Sequence, residues 1–137
     1  MNAASKEGMS SSSDTLHDQL QQSLSNLLTQ IDTVQNLLSD STEVALPRLQ
    51  VQLSQCQSSF QKIVSYLSQL DLSPATEQRT RPAQTEAYRL LRLINVDAMR
   101  LATAKQPKTA EDLRSRLLNQ SEKLQGFIRV IAEAIAS

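Results

Sequence analysis

Few side chains in this 137-residue sequence have the chemistry to act on a substrate. His17 is the sole histidine and Cys56 the sole cysteine. His17 falls near a helix start, with Asp14 and Asp18 beside it. A metal site needs further His, Cys or clustered carboxylates at ligand spacing, and none shows it. His17 therefore reads as an ordinary surface residue. A nucleophilic Cys56 needs a base and an electrophile-stabilising loop. Its place on an apolar helical period reads instead as a small buried group, and with no second cysteine it forms no intramolecular disulfide. No glycine-rich phosphate loop and no serine nucleophile in a recognisable turn is present. No catalytic residue, metal or cofactor is expected, and the sequence disfavours an enzyme.

Recognition is better represented than reaction. Asp97 falls inside the apolar arc Leu90, Leu93, Ile94, Ala98 and Leu101. A carboxylate against a core must be paired, cap something or line a cleft, because an unpaired buried charge is very costly. The expected partners are Arg100 one turn on, or an arginine from another helix. Arg89, Arg92 and Arg100 share one side of the same helix within an arc of about 80°, and Arg81 joins them if the helix is continuous through Pro82. Such a strip is either a solvated face or a docking surface for an acidic protein, where guanidinium forks pair with carboxylates. Nucleic acid is disfavoured, since no stacking aromatic set lies beside the strip.

The elements that position these residues are helices. Apolar residues make up 39% of the chain and aromatics 3%, with no Trp, so a core must be built from Leu, Ile, Val and Ala. Two glycines and four prolines are too few for the turns of an all-β protein. Residues 1–13 are small and polar and read as a mobile tail. From Asp14, with Asp14 or Thr15 as cap, Leu16, Leu20, Leu24, Leu27, Ile31, Val34 and Leu38 step by threes and fours to an end at Ser39-Asp40-Ser41. Leu46, Leu49, Leu53, Cys56, Phe60, Ile63, Leu67 and Leu70 repeat the pattern. Start signals for that second helix lie at Asp40 with Glu43 or at Ser41 and Thr42, and Pro47 is near its start. The short link makes the two helices antiparallel neighbours.

A third helix starts near Pro74 and bends at Pro82, or a loop runs to about Pro82; the bent, partly helical form is favoured. The helix runs to about Lys105 or Gln106. Gln106, Pro107 and Thr109 then form a tight corner, with Thr109 as the cap of a fourth helix. The fourth stripe is Leu113, Leu117, Leu124, Ile128, Ile131 and Ile135, diluted at Gln120 or Ser121, and Gly126 reads as a close helix contact. The expected architecture is a single all-α domain over 14–137: an up-down bundle of four long helices in two hairpins. So thin a bundle leaves an apolar strip that a second copy covers, which predicts a homodimer.

Fourteen basic side chains balance fourteen acidic ones, which argues against non-specific nucleic-acid binding. The balance hides a split: residues 1–75 carry a net charge of −4 and residues 76–137 a net charge of +4. The split suits side-by-side helices of opposite charge, self-association, or an acidic partner. No apolar run reaches the roughly 18 residues of a membrane span, and no apolar signal core opens the chain. A cytoplasmic protein is expected.

The run Leu93-Ile94-Asn95-Val96-Asp97-Ala98-Met99-Arg100-Leu101, followed by Ala104-Lys105-Gln106-Pro107-Lys108-Thr109-Ala110, resembles the cyanobacterial heterocyst-frequency-control family, PatD. The resemblance covers about a fifth of the chain strongly. It implies an all-helical cytoplasmic protein that binds the tubulin-like division protein FtsZ and promotes its assembly, linking cell division to heterocyst frequency. The serine-rich tail and Pro82 depart from the family's pattern, and no residue-level binding motif carries over. The competing reading is a helical chaperone or adaptor that holds a client helix in an apolar groove.

Overall fold

The computed structural model describes the backbone of residues 2–40 and 46–136, and the side chains of residues 14–40 and 46–136. Four helices follow one another: α1 (Asn2–Ser39), α2 (Leu46–Gln69), α3 (Pro74–Thr103) and α4 (Pro107–Ala136). The architecture is an all-α bundle, as the periodicity predicts. Each expected stripe lies on its helix's buried face except Leu93 of α3, which is exposed, and Leu16, Leu46 and Leu70, which are half-buried. Leu20, Leu24, Leu27, Ile31, Val34 and Leu38 of α1 meet Leu49, Leu53, Cys56, Phe60, Ile63 and Leu67 of α2 in one core. Leu113, Leu117, Leu124, Ile128, Ile131 and Ile135 of α4 complete it, with Ala87, Leu90, Ile94, Ala98 and Leu101 of α3. Burying one such Leu or Ile side chain contributes about 1.5–3 kcal/mol, so the stripes are the main force holding the bundle.

The helix ends depart from expectation in three places. First, α1 begins at Asn2, so Asp14 and Thr15 lie inside it and residues 2–13 have helical backbone rather than forming a tail. Extending a formed helix adds one hydrogen bond per residue fixed, and Ala3, Ala4, Lys6 and Glu7 are good helix formers. Second, α3 is continuous from Pro74 through Pro82. Ser73 caps it by accepting the Thr76 N–H at 3.2 Å, with Pro74 at the first helical position. Pro82 removes the donor for the Gln78 carbonyl, but both residues are exposed, so water can satisfy that carbonyl. Third, α3 ends at Thr103 and α4 opens at Pro107, so Thr109 lies in the first turn of α4 and is not its cap. Proline at the first helical position lacks only an N–H that would be unpaired there anyway. The start signals expected within 41–45 lie outside the described residues.

The helices pack unevenly. α3 lies along α4 and α1 along α2; α1 also runs against α4. α2 and α3 approach each other only sparingly, and among the described residues the backbones of α1 and α3, and of α2 and α4, come within 8 Å nowhere. The four helices thus form a ring with α1 and α3 at opposite corners, and the ring is loosest between α2 and α3.

Gly126 is not a close helix contact. It is exposed, and a Cβ placed there would meet nothing within 4 Å. Gly126→Ala is expected to raise stability by about 1 kcal/mol, the difference in helix propensity. Urea denaturation followed by circular dichroism checks it; an unchanged or lower midpoint would contradict the open environment.

Candidate interaction surface

The residues with chemical potential are dispersed. Cys56 is 1% exposed in the middle of α2, and burial pushes its thiol up from the ordinary 9.0 to about 12, a backbone hydrogen bond opposing only in part. It stays a thiol at neutral pH and lacks the thiolate character of a nucleophile. His17 is not a plain surface residue. It is half-buried, and its Nε2 lies 3.3 Å from the Ile135 carbonyl, to which it donates when protonated there. It thereby ties α1 to the last turn of α4, where helix carbonyls lack partners. Among the described residues, no group of three or more His, Cys, Asp and Glu side chains is placed to hold a metal.

Asp97 is buried at 5% exposure on the α4 side of α3. Gln120 of α4 donates to its Oδ2 at 3.1 Å. Arg100 and Arg116 approach Oδ1 at 3.8 and 3.7 Å. The carboxylate is thus held by one true hydrogen bond and two longer ionic contacts from exposed guanidinium groups. Arg100 was legible from its spacing one turn away. An arginine from another helix was also expected, and Arg116 of α4 fills that place, although its position could not be named because a cross-helix partner has no fixed offset in sequence; Gln120 was not anticipated. The Gln120 Oε1 atom is buried without a hydrogen bond, so this side chain is fixed from one end only.

Arg89, Arg92 and Arg100 all reach solvent on α3, and the continuity of that helix adds Arg81. Their engagements differ. Arg81 pairs with Glu77 at 2.9 Å and Arg89 with Glu86 at 2.8 Å, both on the exposed helix surface. Such pairs are worth only about 0.3–0.5 kcal/mol, so another carboxylate can replace the glutamate at little cost. The Arg92 guanidinium lies 5.9 Å from the centre of the Tyr88 ring and makes no ion pair among the described residues. At that outer range the ring offers a weak cation–π attraction and leaves the guanidinium donors free. The corner residues Gln106, Pro107 and Thr109 are exposed, and the Gln106 carbonyl accepts the Ala110 N–H at 3.1 Å.

The apolar side chains beside these arginines add to the surface. Tyr88, Val96 and Met99 are 52, 50 and 68% exposed and share an arc of about 80° with Arg92. Leu93, expected in the core, is 40% exposed, and Leu91 is buried in its place. Met99 also borders a cleft of about 310 Å³ at the loose α2–α3 seam, with Leu53, Gln57, Asn95 and Ala98. Asn95 reaches Gln57 across the seam at 3.5 Å. An apolar centre of Tyr, Val and Met rimmed by arginines is the composition of a protein-binding patch. The Tyr88–Arg92 spacing of four was the signal available in sequence. The seam had none.

Asp97→Ala is expected to lower stability by about 2 kcal/mol, because it leaves Gln120 buried with neither end bonded. Adding Gln120→Leu should recover part of that loss in a double-mutant cycle, and strict additivity would deny the link. For Cys56, the neutral thiol is favoured in the fold, so its contribution is complete below pH 9.0 and is lost as pH rises toward about 12. Stability should fall across that window by up to about 1.4 kcal/mol per pH unit, and Cys56→Ala should flatten the slope. Denaturant midpoints at stepped pH test this. Comparison of the chain with family models, with curated proteins and with solved structures finds no match in any of the three.

Proposed function

We propose that this protein is a non-catalytic regulator that acts by docking the outward face of α3 onto an acidic surface of another protein. The observation that carries the reading is the arrangement on that face: Arg92 near Tyr88, with Val96 and Met99 exposed beside it and further arginines at the rim. Arginine forks recognise carboxylates in a bidentate manner, and the exposed apolar residues supply the area that desolvates them. The protonated, buried thiol of Cys56 and the engaged ring of His17 are consistent with binding rather than turnover.

The resemblance of Leu93–Ala110 to the PatD family supports a specific partner, since that run forms much of this face and the corner after it. In this reading the partner is FtsZ, docking promotes its assembly, and the consequence is a link between cell division and heterocyst frequency. The test is sedimentation of FtsZ with GTP, with and without this protein. More FtsZ should pellet in its presence, and the protein should pellet with it. Arg89→Glu with Arg92→Glu should weaken the effect at least tenfold, about 1.4 kcal/mol. Unchanged assembly without co-pelleting would remove FtsZ as partner; full retention by the double variant would acquit α3.

The open α2–α3 seam favours one second reading, an adaptor that seats a client helix between Leu53, Ala98 and Met99. Such a client would be kept by the arginine double variant, which an acidic surface would not tolerate; Met99→Glu should weaken both, so the arginine variant is the one that separates them.

A further inference from the structure

We propose that this protein stacks head to tail with copies of itself, the acidic outer face of α1 in one copy lying along the basic outer face of α3 in the next. Asp14, Asp18 and Asp32 fall within an arc of about 40° on α1 at 100° per residue, and all three are exposed. None of them makes an ion pair among the described residues. The buried stripe of α1 occupies the other side of the helix, so the acids point away from the bundle. On α3, Arg81, Arg89, Arg92 and Arg100 occupy an outward arc of about 100°, opposite the buried Ala87, Ile94 and Leu101.

The two faces match in length as well as in charge. Asp14 to Asp32 spans about 27 Å and Arg81 to Arg100 about 28 Å at 1.5 Å per residue. They also belong to halves of opposite net charge, −4 for residues 1–75 and +4 for residues 76–137. The backbones of α1 and α3 nowhere come within 8 Å and the two helices stand at opposite corners of the ring, so the faces look in opposite directions. That placement decides the symmetry. A contact between unlike patches on opposite sides leaves one patch of each kind free, so association continues instead of closing on a two-fold axis. The second copy expected of a thin bundle is thus a head-to-tail neighbour. A strip one helix wide buries less than about 1,200 Å², so each contact is weak, reversible and salt-sensitive. This inference does not rest on the partner reading. Both use α3, however, so stacking and the docking of an acidic partner exclude each other on that face.

Sedimentation velocity on the full chain tests it, with circular dichroism confirming that each variant is folded. The mass should rise with concentration at about 20 mM salt and return to that of a monomer at about 1 M, where the screening length is about 3 Å. Asp18→Asn with Asp32→Asn should stay monomeric at low salt, as should Arg89→Gln with Arg92→Gln. An equimolar mixture of the two variants should form a one-to-one pair and stop there, because each keeps only one of the two faces. A natural sequence that is monomeric at every concentration in low salt overturns the proposal. So does association that survives high salt or ignores either pair of substitutions, and so does a mixture that stays monomeric or grows beyond a pair.

Discussion

The whole structure depends on burying four aliphatic stripes at once. With aromatics at 3% of the chain, nearly all of the apolar surface available is Leu, Ile, Val and Ala arranged at helical spacing. Each stripe is too narrow to bury itself, so each helix needs neighbours. α1 packs along α2 and α3 along α4, and the α1–α4 contact joins the two hairpins, whereas the equally short link from Gln69 to Pro74 does not draw α2 and α3 together. What remains is the α2–α3 seam. α3 presents Ala83, Ala87 and Ala98 among its buried residues. Short side chains let it lie close along α4 but reach less far toward α2, where Asn95 and Gln57 meet at 3.5 Å.

Asp97 is the polar exception within this apolar scheme. A carboxylate at 5% exposure loses most of its hydration. The structure answers with Gln120 and two guanidinium groups, Arg100 from its own helix and Arg116 from α4. The arrangement constrains how α3 can slide along α4, because a one-turn shift would part the carboxylate from Gln120 and Arg116, its partners on α4. The same residue draws Arg100 toward the core side, while Arg92 lies outward near Tyr88. One helix thus holds its arginines in two settings, Arg100 beside the buried carboxylate and Arg92 beside an exposed ring.

Charge is laid out on a larger scale than any of these contacts. The acids of α1 and the arginines of α3 stand on opposite corners of the ring, so they cannot neutralise one another within a molecule. Exposed glutamates on α3 soften its field through Glu77–Arg81 and Glu86–Arg89, but such pairs exchange easily. The molecule therefore presents acidic side chains on the outer face of α1 and arginines on the outer face of α3.

The amino-acid sequence by itself determined the helical class, most of the stripes and the corner at Pro107, and it favoured a helix start at Pro74, because each follows from local spacing or local backbone chemistry. It also placed Asp97 in an apolar arc and grouped the arginines, since both are properties of one helical wheel. It misjudged where two elements begin, the start of α1 and the cap of α4, and it left open whether helix or loop runs from Pro74 to Pro82. Helix ends are settled by small differences between competing backbone partners. Only the tertiary structure decided that Gln120 and Arg116 serve Asp97, that His17 reaches Ile135, that Leu93 faces solvent while Leu91 does not, and that α2 and α3 stay apart. Those outcomes depend on which helices become neighbours and at what rotation, and no periodicity within a single helix encodes that.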